Sequence, residues 1–174
     1  IGGNSVSSDA GSVGLFKFVV QEGFSDSSVV RITSGRFARS SGEETMQIGS
    51  GGAAVVIGGS RSTGPAGTGP IALDADSLSG DQGNRSLPSS ATGEEIVVDL
   101  AATQGALGAS GVIVTIIFDD KALSFASFTP SDLFSNALSI PKVQAGSVEL
   151  NIAILGQTKV ESDAGSIGVI TFQL

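Results

Sequence analysis

Apolar residues along this chain recur at every second position. Val148, Leu150, Ile152 and Ile154 alternate with Glu149, Asn151 and Ala153, the pattern of a strand with one face buried and the other in water. Ile96, Val98 and Leu100 alternate with Val97 and Asp99. Val112–Phe118 is apolar on both faces, which predicts a central strand. Two further triplets, Phe16, Phe18 and Val20 near the start and Ile170, Phe172 and Leu174 at the end, are predicted to face inward as a strand-pairing core. Val29–Thr33, Arg36–Arg39, Thr45–Ile48 and Ala53–Ile57 predict further short strands. Clusters of Gly, Ser, Asp and Pro separate these segments, and only Ser131–Ala137 has room for a helical turn. The predicted class is all-β, an antiparallel β-sandwich.

The two triplets belong to a repeat. Ile1–Val20 and Leu155–Leu174 align without a gap at an offset of 154, with nine of twenty positions identical. A period of that size is a globular module rather than a solenoid unit. The start of the chain therefore reads as the end of one module, and its end as part of the next. Between them, Gly58–Pro70 lacks periodicity and is dense in Gly, Ser, Thr and Pro, as a linker is. The expected organisation is 1–57, the C-terminal strands of one repeat module; 58–70, the linker; and 71–174, the N-terminal body of the next. The chain opens on Ile1 rather than Met, so a segment upstream is expected to have been removed or to be missing.

From Glu94 onward the sequence resembles the cohesin-like β-sandwich modules of bacterial extracellular surface proteins, relatives in fold of some carbohydrate-binding modules. The resemblance rests on a strand (EEIVVDL), a gap of small residues (GALGASG) and a strand running into an acidic turn (VIVTIIFDDKALSFASF). An aliphatic strand (GSVELNIAIL) and a Gly-preceded closing strand (GSIGVITFQL) follow. Asp119, Leu123 and Phe125 match the family's first motif, and Gly168 and Phe172 its last. The opening IALDADSLSGDQGNRSL also resembles the start of such modules. The resemblance implies a cohesin-like jelly roll, and with it either a protein-docking receptor or a weak glycan binder. One departure stands out: the type of sequence that should follow the closing strand, found at Ala10–Ile57, precedes the linker instead. Neither piece can then bury its apolar face alone, and the sandwich is expected to be split across a repeat boundary and completed by strand complementation, within one chain or between neighbours.

Composition narrows the chemistry. The chain has no Cys, His, Trp or Tyr. Common zinc sites, thiol nucleophiles and Ser-His-Asp triads are excluded, and sugar stacking loses its usual Trp and Tyr platforms. Residues 1–70 are neutral, whereas 71–174 carry the whole net charge of −8, which argues against nucleic acid and anionic membranes as partners. No apolar run is long enough for a membrane span.

One acidic stretch invites a cation. Asp74, Asp76 and Asp81 lie close together on a Gly-containing segment, and converging carboxylates suit Ca²⁺, which takes six to eight oxygens. The alternative is an Asx-rich turn in which the side chains bond the backbone. Asp119-Asp120 follows a strong strand and reads as a turn. Glu43-Glu44 and Glu94-Glu95 read as solvated strand ends. Asn84-Arg85-Ser86 is a formal glycosylation acceptor. No catalytic residue and no organic cofactor is expected. The sequence thus predicts a non-enzymatic structural or interaction module, secreted or at the cell surface. Its partner is expected to be itself or a neighbouring repeat, with another surface protein or a glycan as the alternative.

Overall fold

A computed structural model describes residues 18–20, 27–48, 53–58, 69–75, 85–87, 95–134, 136–156 and 158–173. These residues are almost entirely β. The strands are β1 (Phe18–Val20), β2 (Ser28–Arg39), β3 (Gly42–Thr45), β4 (Ala54–Ile57), β5 (Ile71–Asp74) and β6 (Ser86–Leu87). They continue with β7 (Ile96–Ala102), β8 (Gly111–Ile117), β9 (Leu123–Pro130), β10 (Ala137–Gln144), β11 (Ser147–Ile154) and β12 (Gly165–Gln173). The predicted helical turn is present as a short 3-10 turn, Asp132–Phe134.

The strands form two sheets. A five-stranded sheet runs β1-β9-β12-β7-β5, and a seven-stranded sheet runs β10-β11-β8-β2-β4-β6 with β3 hairpinned onto β2. All pairings are antiparallel except β4 with β6. The alternating apolar residues meet between the sheets. Ile71, Leu73, Ile96, Val98, Leu100 and Leu123 of the first sheet join Val30, Ile32, Val55, Val112, Val114, Ile116, Val148 and Leu150 of the second in one buried core. Both sheets draw strands from both sides of the 58–70 segment: β1 pairs with β9, β2 with β8, and β4 with β6.

Two predicted boundaries are corrected. Val29–Thr33 and Arg36–Arg39 are halves of the single strand β2, which has a register shift between Ile32 and Ser34. Val30 and Ile32 are buried before the shift and Phe37 after it. An extra residue, Thr33, switches the inward parity, as a β-bulge does, so a period-two pattern breaks where the strand does not. Thr45–Ile48 is not a strand either: the chain turns earlier, at Ser40–Ser41, and β3 is Gly42–Thr45 with every residue exposed. Polar Glu43 and Glu44 pair with β2 and give no burial signal.

Candidate functional site

The segment 158–173, which belongs to the second repeat copy, is seated residue by residue. Val160 is buried; its N–H donates to the Ala109 carbonyl and its own carbonyl accepts from Gly108 N–H, both at 2.8 Å. Asp163 holds the loop between β7 and β8: its Oδ1 accepts from Gly105 N–H and its carbonyl from Ala106 N–H, each at 2.9 Å. Ser162 Oγ donates to the Ala164 carbonyl at 2.7 Å. Gly165 opens β12 at φ +148°, a region that L side chains rarely adopt. Ile167 is fully buried. At Gly168 a Cβ would lie 2.0 Å from Phe128 Cζ, so the Phe128 ring occupies the space a side chain would need.

The same loop is fastened from the other side by Arg39 at the end of β2. Its guanidinium donates to the carbonyls of Gly105 and Leu107 and reaches Glu44 Oε2 at 2.6 Å. It also stands 5.7 Å from the centroid of the buried Phe37 ring, a cation–π distance.

The strand-pairing residues predicted from the repeat come together around β9. Phe18 and Val20 stand in β1 opposite Phe125 and Leu123. Ile170 and Phe172 stand in β12 opposite Phe128 and Phe125. The last residues of the two copies, Phe18–Val20 and Gly168–Gln173, thus flank β9 on its two sides, with Phe18 and Phe172 at one register. Leu123 and Phe128 of β9 are buried, and Phe125 packs against the core. Phe16 and Leu174 lie outside the described residues.

Of the acidic stretch, Asp74 ends β5, while Asp76 and Asp81 lie outside the described residues. Asp74 is buried and stands opposite Asp99 of β7, which is also buried. Sequence reasoning passed over this juxtaposition, because Asp99 holds an outward position of its alternating strand. Arg85 brings a positive charge to the same end of the sheet, donating to the Leu73 carbonyl. Among the described residues, no group of three or more acids is placed to hold a metal. Ser86 of the formal glycosylation motif is buried in β6, and Asn84 lies outside the described residues.

Asp119 does turn work. Its Oδ1 accepts from Lys121 N–H at 3.0 Å and its carbonyl from Leu123 N–H at 2.8 Å. Glu43 and Glu44 are exposed and paired with Arg36 and Arg39. Among the described residues, no helix is long and apolar enough to cross a membrane. Compared with protein-family models, curated proteins and solved structures, the chain matches none.

Proposed function

We propose that this chain is a non-enzymatic structural and interaction module of a repetitive extracellular protein. In this reading it is a cohesin-like jelly-roll sandwich whose modules join by β-strand complementation into a fibre or surface scaffold. The observation that carries the reading is that Phe18–Val20 of the first repeat copy and Gly168–Gln173 of the second pair with the two sides of β9, with Phe18 and Phe172 opposite the same Phe125. A strand flanked by two versions of one sequence at one register is a joint where a neighbour's copy can stand in for the chain's own. Backbone hydrogen bonds would supply the affinity and alternating side-chain positions the specificity. A head-to-tail contact of this kind repeats without closing and builds a filament.

Sedimentation velocity across a concentration series, with electron micrographs of the same samples, tests the proposal. Assemblies of heterogeneous length are expected. A monodisperse monomer at every concentration would refute it.

A second reading, a protein-docking receptor or weak glycan binder, draws on the outward face of the seven-stranded sheet. Leu138 and Ile140 of β10 are exposed there, 49% and 54%. A shallow groove lies among Val29, Arg31, Ile117, Phe118 and Asp119. Exposed apolar side chains beside polar ones are common at partner surfaces. The edge itself carries Pro141 and Lys142, residue types that discourage indiscriminate strand addition. A monomer that binds one surface protein or glycan in a defined ratio would favour this reading.

A further inference from the structure

We infer that residues 1–20 of a second copy of this chain can take the seat of residues 155–174 beside β9. The inference rests on the self-assembly reading and names its donor segment and its acceptor slot.

The argument comes from which positions the two copies share. Residues that the slot constrains are identical in the first copy. Buried Val160 corresponds to Val6, and Ser162 and Asp163, with their hydrogen bonds, to Ser8 and Asp9. Gly156, at φ +94°, corresponds to Gly2, and Gly165, at φ +148°, to Gly11. Gly168, pressed against the Phe128 ring, corresponds to Gly14, and Phe172 to Phe18. Buried Ile167 is replaced only by Val13. The positions that differ in chemistry include Thr158, Lys159 and Glu161, which are exposed and correspond to Asn4, Ser5 and Ser7. At these positions the first copy keeps what the slot constrains and varies at exposed sites; within the strand it also carries Phe16, Lys17 and Val19 where the second copy has Ile170, Thr171 and Gln173.

Register supplies the other half of the argument. Phe18–Val19 and Phe172–Gln173 both lie opposite Phe125–Ser124 and both run antiparallel to β9. An exchange in which a neighbour's first copy enters the β12 seat, and the displaced second copy moves to the flank the neighbour vacated, leaves each β9 flanked on two sides. The number of strand pairings is conserved, which makes domain exchange a low-cost route to assembly. The resident strand has the advantage of being tethered at high effective concentration. It also lies between β9 and β7, inside the sheet, so exchange is slow and favoured by high protein concentration.

The test uses the full chain and a fluorescent synthetic peptide of residues 1–20, followed by anisotropy, with a photo-crosslinker at the Leu15 position. Leu15 corresponds to Val169, which lies opposite Thr129. The expected result is slow one-to-one incorporation, a crosslink to β9 near Thr129, and at least tenfold weaker binding of the peptide carrying Gly14→Val. Equal binding of both peptides, no binding of either, or a crosslink outside β9 would overturn the inference. A Gly168→Val full chain, whose own strand no longer fits, should take up the peptide faster. Gly168→Val is also expected to raise the oligomer fraction, and adding Gly14→Val should abolish that rise. If Gly168→Val fails to fold, the two peptides on the unmodified chain still decide. Fibres that form and are unaffected by Gly14→Val would leave the scaffold reading standing and defeat this one. Specific peptide uptake without assembly at any concentration would do the reverse.

Discussion

Phe18 and Phe172 occupy the same register on opposite flanks of one strand, each facing Phe125 of β9. They also occupy the same place in the internal repeat, 154 residues apart. Cross-strand neighbours share one face of a sheet, so the three positions fall in one row of the register, and Phe125 at its centre packs against the core.

This row predicts unequal costs for the same substitution. Phe172 belongs to β12, an interior strand, and Phe18 to β1 at the sheet edge. Phe172→Ala, at a position that the repeat predicts to face inward, is expected to cost about 3–5 kcal/mol, the usual range for a phenylalanine in a core. Phe18→Ala should cost less, because an edge position has neighbours on one side only. Urea unfolding of the two variants measures both; equal costs would show that the edge position is covered as fully as the interior one.

Arg39 should behave as a fastener of the β7–β8 loop. Arg39→Ala removes the donors to the Gly105 and Leu107 carbonyls and is expected to cost about 1–3 kcal/mol, typical of polar groups left without a partner. Arg39→Lys should restore little, since an ammonium lacks the planar fork that reaches two carbonyls and a carboxylate. Hydrogen exchange at Ala106 and Gly108, whose N–H groups bond Asp163 and Val160, should accelerate in both variants.

Glu149 predicts a small acid-side loss of stability. A hydrogen bond from Lys142 at 2.8 Å, followed by one from Asn151 at 3.0 Å, holds its carboxyl below the ordinary 4.5. A carboxylate with a depressed folded pKa contributes stability that is full above its unfolded pKa and lost as pH falls through the folded one. Lys142 is exposed (66%) and Glu149 half-buried (33%) at the surface, so the contribution is only about 0.2–1 kcal/mol and weakens with salt. Glu149→Gln should flatten the stability profile below about pH 4.5 by that amount, measured by denaturant titration at several pH values.

Calcium binding by Asp74, Asp76 and Asp81 would have a thermal signature. A ligand that binds only the folded chain stabilises it in proportion to the logarithm of its concentration over Kd. Added Ca²⁺ should then raise the melting temperature and excess chelator lower it. An unchanged melting curve would assign these acids to turn and strand roles.

Much of the architecture is local and therefore readable from residues alone. The alternation in Ile96–Leu100 and Val148–Ile154 and the apolar run at Val112–Phe118 concern neighbours in sequence, and the repeat is found by comparing the chain with itself. The shared register of Phe18 and Phe172 follows a motif that can be read from the chain. Tertiary structure decided the rest. It joined Val29–Thr33 to Arg36–Arg39 through Thr33, because a bulge is defined by the partner strand, here β8. It made a strand of Ala137–Gln144, whose Leu138 and Ile140 stay exposed at an edge and carry no burial pattern. It buried Asp99 opposite Asp74 although alternation assigns that position outward. The repeat could be read from the chain, but the reason for keeping Gly168 could not. That reason is the Phe128 ring, forty residues away in sequence and in contact only because β9 lies beside β12. Periodicity reports which face a residue takes; which strand lies alongside is a long-range choice settled by packing the whole sandwich.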